Sequence, residues 1–190
     1  MTKITHAIAG LVVAAGCIEV SKNYSNAYIV PALAAGTIGG ILPDIDLFMG
    51  DARKDTILKH RGIVHTPLFL TCLLILIVVG ENRLFANGSI DFFYLNFIFA
   101  LSFLSHLLLD SLNIVGIMWF YPFSKKAYSL KLMESGSLPE YGLVTLPLIV
   151  VLVFIGSSFI RMPEIRNIVF HKNSILSQFL RRNAYAGNQQ

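Results

Sequence analysis

Residues 92–113 read FFYLNFIFALSFLSHLLLDSLN, and this stretch decides the fold class. Its apolar part, residues 92–109, has the length of a helix that crosses a bilayer, which needs about 17–25 residues. His106 and Asp110 stand four residues apart near its end, so they share one face of the helix. A carboxylate at membrane depth is costly unless it is paired or ligated. The stretch therefore predicts a membrane helix that carries a polar site, either a metal ligand pair or a His–Asp hydrogen bond between helices.

The composition of the whole chain also favours a membrane protein. The chain has 190 residues, of which 55% are hydrophobic and only 14% are charged. Soluble domains carry about 25% charged residues, which they need to cover a large surface. The net charge is +4, but the basic residues stand between apolar runs instead of forming one patch. We interpret them as topology signals and expect the bilayer, not nucleic acid, as the partner.

Four further apolar runs accompany residues 92–109, and they cover residues 4–20, 27–42, 66–80 and 141–160. Together the runs predict an all-α, polytopic membrane bundle of about five short transmembrane helices, with four or six as alternatives. Only the last two runs in the chain are long enough to span a bilayer by themselves. The second run is rich in alanine and glycine, which suits close packing between helices better than contact with lipid.

The chain divides into a membrane-embedded bundle, residues 1–160, and a C-terminal tail, residues 161–190. From Pro163 to Arg182 the apolar residues recur mostly at helical spacing, with basic residues between them. This pattern predicts an amphipathic helix that lies on the lipid headgroups. A helix packed against the bundle is an equally good interpretation.

The distribution of basic residues predicts the orientation. If five spans alternate, the N-terminus shares one membrane face with the 43–65 and 121–140 connections. That face carries eight basic residues, which are Lys3, Arg53, Lys54, Lys59, Arg61, Lys125, Lys126 and Lys131. The opposite face carries Lys22 and Arg83, so the first face is predicted to be cytoplasmic. The basic tail would lie on the opposite face and counts against this orientation.

The same face collects a cluster of four of the chain's five histidines, three aspartates and a glutamate. Its members are His6, Asp44, Asp46, His60, His65, His106, Asp110 and Glu140. Imidazole together with carboxylate suits a divalent metal, with Zn²⁺ preferred and Mn²⁺ or Fe²⁺ as alternatives. A cluster of this size could hold two ions, an arrangement used in phosphoryl transfer.

At these residues the chain resembles a known family. The motifs are Thr5-His6, Leu42-Pro43-Asp44-Ile45-Asp46, His60-Arg61-Gly62-x-x-His65-Thr66, and His106-Leu-Leu-Leu-Asp110-Ser111-Leu112-Asn113, continuing through Gly116, Tyr121-Pro122-Phe123-Ser124 and Gly136-Ser137-x-x-Glu140. They look like those of the YdjM-type bacterial inner-membrane metal-dependent hydrolases. Leu47 departs from the pattern, because relatives usually carry histidine there. A more distant similarity is to the zinc-dependent phospholipase C and single-strand nuclease superfamily, whose order of ligands is similar.

The residues and the resemblance together lead to a hypothesis of a membrane-bound metal-dependent hydrolase of phosphate esters, including lipid-borne ones. The metal ligands would be His6, Asp44, His60, His106 and Asp110. Asp46, His65 and Glu140 would support the ligands or act as general base, and Arg61 would neutralise the substrate phosphate. Two alternatives are a membrane regulator or scaffold with a structural metal, and a small carrier of metal ions or protons. The carrier is disfavoured, because it needs a polar path through both halves of the bilayer and the 81–91 side offers only Glu81 and Asp91.

Overall fold

The computed structural model describes residues 1–22, 26–49, 61–84 and 92–161. Within these ranges the chain is mostly helical and forms no β-strand, so the all-α prediction is confirmed. The helices are α1 (Lys3–Ser21), α2 (Asn26–Ile41), α3 (Pro67–Leu84), α4 (Phe92–Leu112), α5 (Leu138–Glu140) and α6 (Leu146–Arg161). A π-helical turn, Tyr141–Thr145, joins α5 to α6, and 3₁₀ segments cover Leu42–Met49 and Ile63–His65.

Four helical stretches in the described residues are long and apolar enough to cross a membrane. They are Lys3–Ser21, Tyr28–Ile45, Phe92–Leu112 and Leu138–Phe159. The prediction that only the last two apolar runs reach this length is therefore too restrictive, because α1 includes the polar residues that flank its run and α2 continues into the 3₁₀ segment up to Ile45. α3 ends in Glu81, Asn82 and Arg83, which makes its apolar part shorter than the helix. The bundle is confirmed, and the count of five spans stays a prediction.

Glycines bring α1 and α2 together backbone to backbone. A Cβ atom placed on Gly10 would lie 2.2 Å from the carbonyl oxygen of Gly36, and one on Gly40 would lie 2.5 Å from that of His6. Only glycine leaves room for such an approach. The alanine- and glycine-rich second run thus packs closely in the bundle, as small residues do between membrane helices.

The helices alternate in direction, as expected of successive helices that each cross a bilayer. The Ser21 hydroxyl lies 2.9 Å from the Tyr94 hydroxyl, which places the end of α1 beside the start of α4. At the other end, His6 Nε2 lies 3.2 Å from Asp110 Oδ1, so α1 begins where α4 ends. We call this second end of the bundle the cluster end. α2 and α4 run toward it, while α1, α3 and the α5–α6 stretch run away from it.

Two groups of buried apolar side chains form the core. One consists of Leu70, Phe99, Phe103, Leu107 and Ile117, and the other of Ala14, Ile18, Ala32 and Ile98. The outer surface of the helices is also apolar, since Leu76 on α3 is 69% exposed and Phe154 on α6 is 73% exposed. Apolar side chains on both the inside and the outside are typical of helices surrounded by lipid.

Candidate metal centre

The polar residues of the bundle meet at the cluster end because each lies at a helix terminus there. His6 belongs to the first turns of α1, and Asp44 belongs to the 3₁₀ segment that follows α2. His65 closes the 3₁₀ turn that leads into α3. His106 and Asp110 lie in the last turns of α4. Five of the predicted site residues are thus brought together by the fold.

The distances between these side chains are short, and the side chains are excluded from solvent. His65 Nε2 lies 3.6 Å from Asp44 Oδ1 and 4.0 Å from Asp110 Oδ2. His106 Nε2 lies 3.8 Å from Asp44 Oδ1 and 3.9 Å from Asp110 Oδ2. The His6 and His106 rings are stacked, with centroids 3.6 Å apart. The three histidines are 0% exposed, Asp110 is 1% exposed and Asp44 is 3% exposed.

The orientation of His106 is fixed by a backbone carbonyl. Its Nδ1 lies 2.7 Å from the carbonyl oxygen of Gly40. Since a carbonyl oxygen only accepts, Nδ1 must carry the proton and donate it. In a neutral ring, Nε2 then presents a lone pair toward the carboxylates of Asp44 and Asp110, at distances too long for a hydrogen bond. A metal-binding histidine is oriented in this way, with one nitrogen bonded to a carbonyl and the other facing the ion.

The buried ligand atoms form two overlapping sets, either of which could hold one ion. Both sets contain His106, and within each set the ligand atoms lie within 4.8 Å of one another; the sets are His6, Asp44 and His106, and His65, His106 and Asp110. Within the described part of the chain, His6 Nδ1, Asp44 Oδ2 and His106 Nε2 are buried without a hydrogen-bond partner. Buried polar atoms rarely lack partners, because leaving them so costs free energy. Nitrogen and oxygen donors of these types suit Zn²⁺, Mn²⁺ or Fe²⁺.

Arg61 lies beside the cluster in a constrained backbone conformation. Its φ of 63° is uncommon for a residue other than glycine, and such conformations concentrate at functional sites. Nη2 lies 3.2 Å from Asp110 Oδ2, and Nη1 donates to the carbonyl oxygen of Gly116 at 3.3 Å. Gly116 itself has a φ of 68°, and a Cβ there would lie 2.3 Å from the carbonyl oxygen of Tyr128. The guanidinium thus bridges the end of α4 and the segment that follows it.

Glu140 occupies a separate, neighbouring polar site. Its Oε1 accepts hydrogen bonds from the Thr2 backbone N–H and from the Thr5 hydroxyl, both at 2.7 Å. Its Oε2 accepts one from the Gly136 backbone N–H at 2.7 Å. Glu140 belongs to neither set of candidate ligands among the described residues. These contacts tie the start of α1 to the last helical stretch, and so indicate a positioning role.

Two predicted site residues cannot be placed. His60 lies outside the described residues, and the side chain of Asp46 is not described. The predicted amphipathic tail also lies outside them from residue 162 onward. The fold adds one residue that sequence reasoning missed, Gly40, whose carbonyl oxygen orients His106. Its only signal in the sequence was its place in a glycine-rich helix.

A bundle of long apolar helices with a buried His/Asp cluster at one end defines a membrane protein with a candidate metal centre. The chain belongs to the YdjM inner membrane protein family, whose model matches residues 1–171. The match covers every described residue of the cluster, confirms the resemblance and places the chain among inner membrane proteins. Searches of the curated proteins and of the solved structures give no match. The more distant similarity to the phospholipase C and nuclease superfamily stays an expectation.

Proposed function

We propose that this protein is a multi-pass, membrane-bound, metal-dependent hydrolase of phosphate esters, with its site at the cytoplasmic face. The observation that carries the proposal is the geometry of His106. Its protonated nitrogen is held by the Gly40 carbonyl, while its second nitrogen faces two carboxylates without a hydrogen-bond partner in the described residues. A cation between the imidazole and the carboxylates would remove this conflict.

The residues that would hold the metal are His6, Asp44, His65, His106 and Asp110, with His60 as a further predicted ligand. The geometry favours His65 as a ligand, since its Nε2 lies within 4.0 Å of two carboxylates. Zn²⁺ fits this donor set, with Mn²⁺ and Fe²⁺ as alternatives. When bound, the metal would polarise a phosphoryl oxygen and activate water for attack.

Arg61 supports a substrate with a phosphate group. Its side chain is 10% exposed and its guanidinium lies 3.2 Å from Asp110, so it would bring positive charge to a phosphate bound at the cluster. Its planar, multi-donor group matches phosphate oxygens in a two-point contact that lysine cannot make. Asp46 remains a candidate for general base. Because the site lies at the end of membrane helices, lipid-borne phosphate esters are the substrates that it would meet most readily.

One observation favours a second candidate, a regulator or scaffold with a structural metal. The five described cluster side chains are at most 3% exposed, and structural sites are closed whereas catalytic ones keep a position open for substrate. The two candidates therefore differ in whether the loaded protein turns over any phosphate ester.

The deciding experiment compares the metal-loaded wild type with Arg61→Lys on phosphomonoesters, phosphodiesters and phospholipids. We expect Arg61→Lys to keep its metal, because arginine is not a ligand, and to lose turnover by about 10²-fold, as when a single positioned donor is removed. Arg83→Lys is the matched control, since Arg83 lies at the far end of α3. Parallel loss of metal and turnover would mean that Arg61 only holds the fold. A wild type that is loaded but cleaves nothing would favour the scaffold.

A further inference from the structure

The segment between α4 and α5, residues 113–137, exposes large apolar side chains beside basic ones. Phe120 is 60% exposed, Phe123 87% and Leu130 65%. The lysines of the segment are Lys125, Lys126 and Lys131, and its only acidic residue is Glu134. Exposed aromatic and leucine side chains are unfavourable in a connection that faces water. Aromatic rings together with lysines are typical of the boundary between a bilayer and water.

Backbone groups of this segment pair with one another and with the end of α4, although the segment forms no helix. Ile117 and Tyr128 exchange hydrogen bonds, with N–O distances of 3.1 and 2.8 Å. The Leu130 N–H donates to the carbonyl oxygen of Ser111 at 2.8 Å, and the Leu132 N–H donates to that of Leu112 at 3.0 Å. Unpaired backbone groups would exclude a chain from contact with lipid. Pairing of this kind lets the segment lie against the bilayer.

A groove of about 390 Å³ runs between the segment and the outer face of α4. Its apolar lining is formed by Leu108, Leu109, Leu112, Trp119, Tyr128 and Leu130. Leu108 is 59% exposed, whereas His106 and Asp110 on the opposite face are buried, so the groove opens away from the cluster. Lys126 Nζ lies 5.4 Å from the centroid of the Tyr128 ring, which places a cation at the edge of the groove.

We infer that this groove binds an acyl chain of an anionic phospholipid from the leaflet at the cluster end, with the lysines of the segment binding the lipid phosphate. The apolar lining fits a hydrocarbon chain, and the cation at the rim complements a phosphate. The segment follows the last turn of a helix that is long enough to span the membrane, so headgroups lie at its level. The inference goes beyond the proposed hydrolase and does not rest on it, because it uses no residue of the cluster.

The test uses Trp119, the only tryptophan in the chain, which lies in the groove. The full protein is reconstituted in equimolar vesicles of phosphatidylcholine and phosphatidylglycerol in which only one of the two lipids is brominated, and tryptophan fluorescence is recorded. We expect quenching in both mixtures, and stronger quenching when phosphatidylglycerol carries the bromine. Replacing all three lysines by glutamine should remove the preference for the anionic lipid, since each lysine should contribute roughly a fivefold difference in affinity. High salt should weaken the preference in the wild type.

Lys22→Gln is the control, because it removes a lysine from the opposite end of the bundle and should leave the preference intact. An unquenched Trp119 would show that no acyl chain enters the groove. Equal quenching by the two brominated lipids, or a preference that survives both the triple substitution and high salt, would exclude the lysines as phosphate ligands. Quenching that falls as the protein-to-lipid ratio rises would assign the groove to a second copy of the chain. Each of these results overturns the inference.

Discussion

At the scale of single residues, Asp110 is the side chain on which most contacts of the cluster converge. Its Oδ1 lies 3.2 Å from His6 Nε2, and its Oδ2 lies 3.2 Å from Arg61 Nη2. The Met1 backbone nitrogen also contacts Oδ1. The His–Asp hydrogen bond between helices, which the sequence left open as an alternative, thus forms between α1 and α4 through His6, not through His106. A bond between protein groups and a role in holding a metal are compatible here, because a carboxylate has several lone pairs.

Asp110→Asn should lower the affinity for metal while the protein still inserts in the membrane. The amide keeps the size of the carboxylate but lacks the charge that a ligand for a divalent cation supplies. Substituting a residue that only hydrogen-bonds to a metal ligand lowers metal affinity by about 10–100-fold. We therefore expect the change of a ligand itself to lower the affinity by at least about tenfold. The loss is measured as the metal content of the purified protein and by metal titration in detergent. Glu19→Gln makes the same chemical change at the other end of α1; equal losses in both variants would point to general instability.

At the scale of helices, the position of the cluster depends on how closely α1 approaches α2. Gly40 takes part twice. It leaves room for the His6 carbonyl oxygen, and its own carbonyl oxygen accepts a hydrogen bond from His106 Nδ1. One glycine therefore sets both the spacing of two helices and the orientation of a candidate ligand. Packing and site geometry cannot be changed independently at this contact.

Gly40→Ala should destabilise the bundle and weaken metal binding together. The added Cβ would lie 2.5 Å from a backbone oxygen of α1, so the helices must separate. Overpacking of this kind costs about 1–3 kcal/mol. Thermal unfolding in detergent and metal titration measure the two effects. In the matched variant Gly16→Ala the Cβ meets nothing within 4 Å. The stability of that variant should be unchanged or higher by up to about 1 kcal/mol, because alanine has the greater helix propensity. Unchanged stability of Gly40→Ala would contradict the close contact.

At the scale of the whole molecule, the helices alternate in direction, which predicts that the cluster end and the opposite end lie on different sides of the membrane. Lys22 follows α1 at the opposite end, and Lys125 lies in the segment that follows α4 at the cluster end. The excess of basic residues at the cluster end predicts that this end is cytoplasmic.

Cysteine labelling in intact cells tests this topology. With Cys17 and Cys72 replaced by alanine, Lys22→Cys should react with a membrane-impermeant maleimide from outside. Lys125→Cys should react only after the membrane is permeabilised, which also serves as the control that the thiol is accessible. Labelling of both positions from one side would contradict the alternating bundle. Reversed labelling would keep the bundle and reverse its orientation.

The sequence by itself determined the all-α membrane bundle and the end at which the polar residues gather. Backbone groups in lipid must pair within their own segment, so the long apolar runs form helices, and successive helices that each span the bilayer must alternate in direction. These two constraints bring His6, Asp44, His65 and the residues of α4 to one end without any knowledge of packing. The family match confirms the resemblance to the YdjM inner membrane proteins that these motifs indicated.

Only the tertiary structure decided which atoms meet at that end. Contacts of 3–4 Å depend on how each helix is rotated and how closely it approaches its neighbour, and glycine contacts between distant parts of the chain set both. The sequence therefore could not show that Arg61 contacts Asp110 or that Gly40 orients His106. For the same reason the sequence grouped Glu140 with the cluster. In the structure the Glu140 carboxylate accepts hydrogen bonds from Thr2, Thr5 and Gly136.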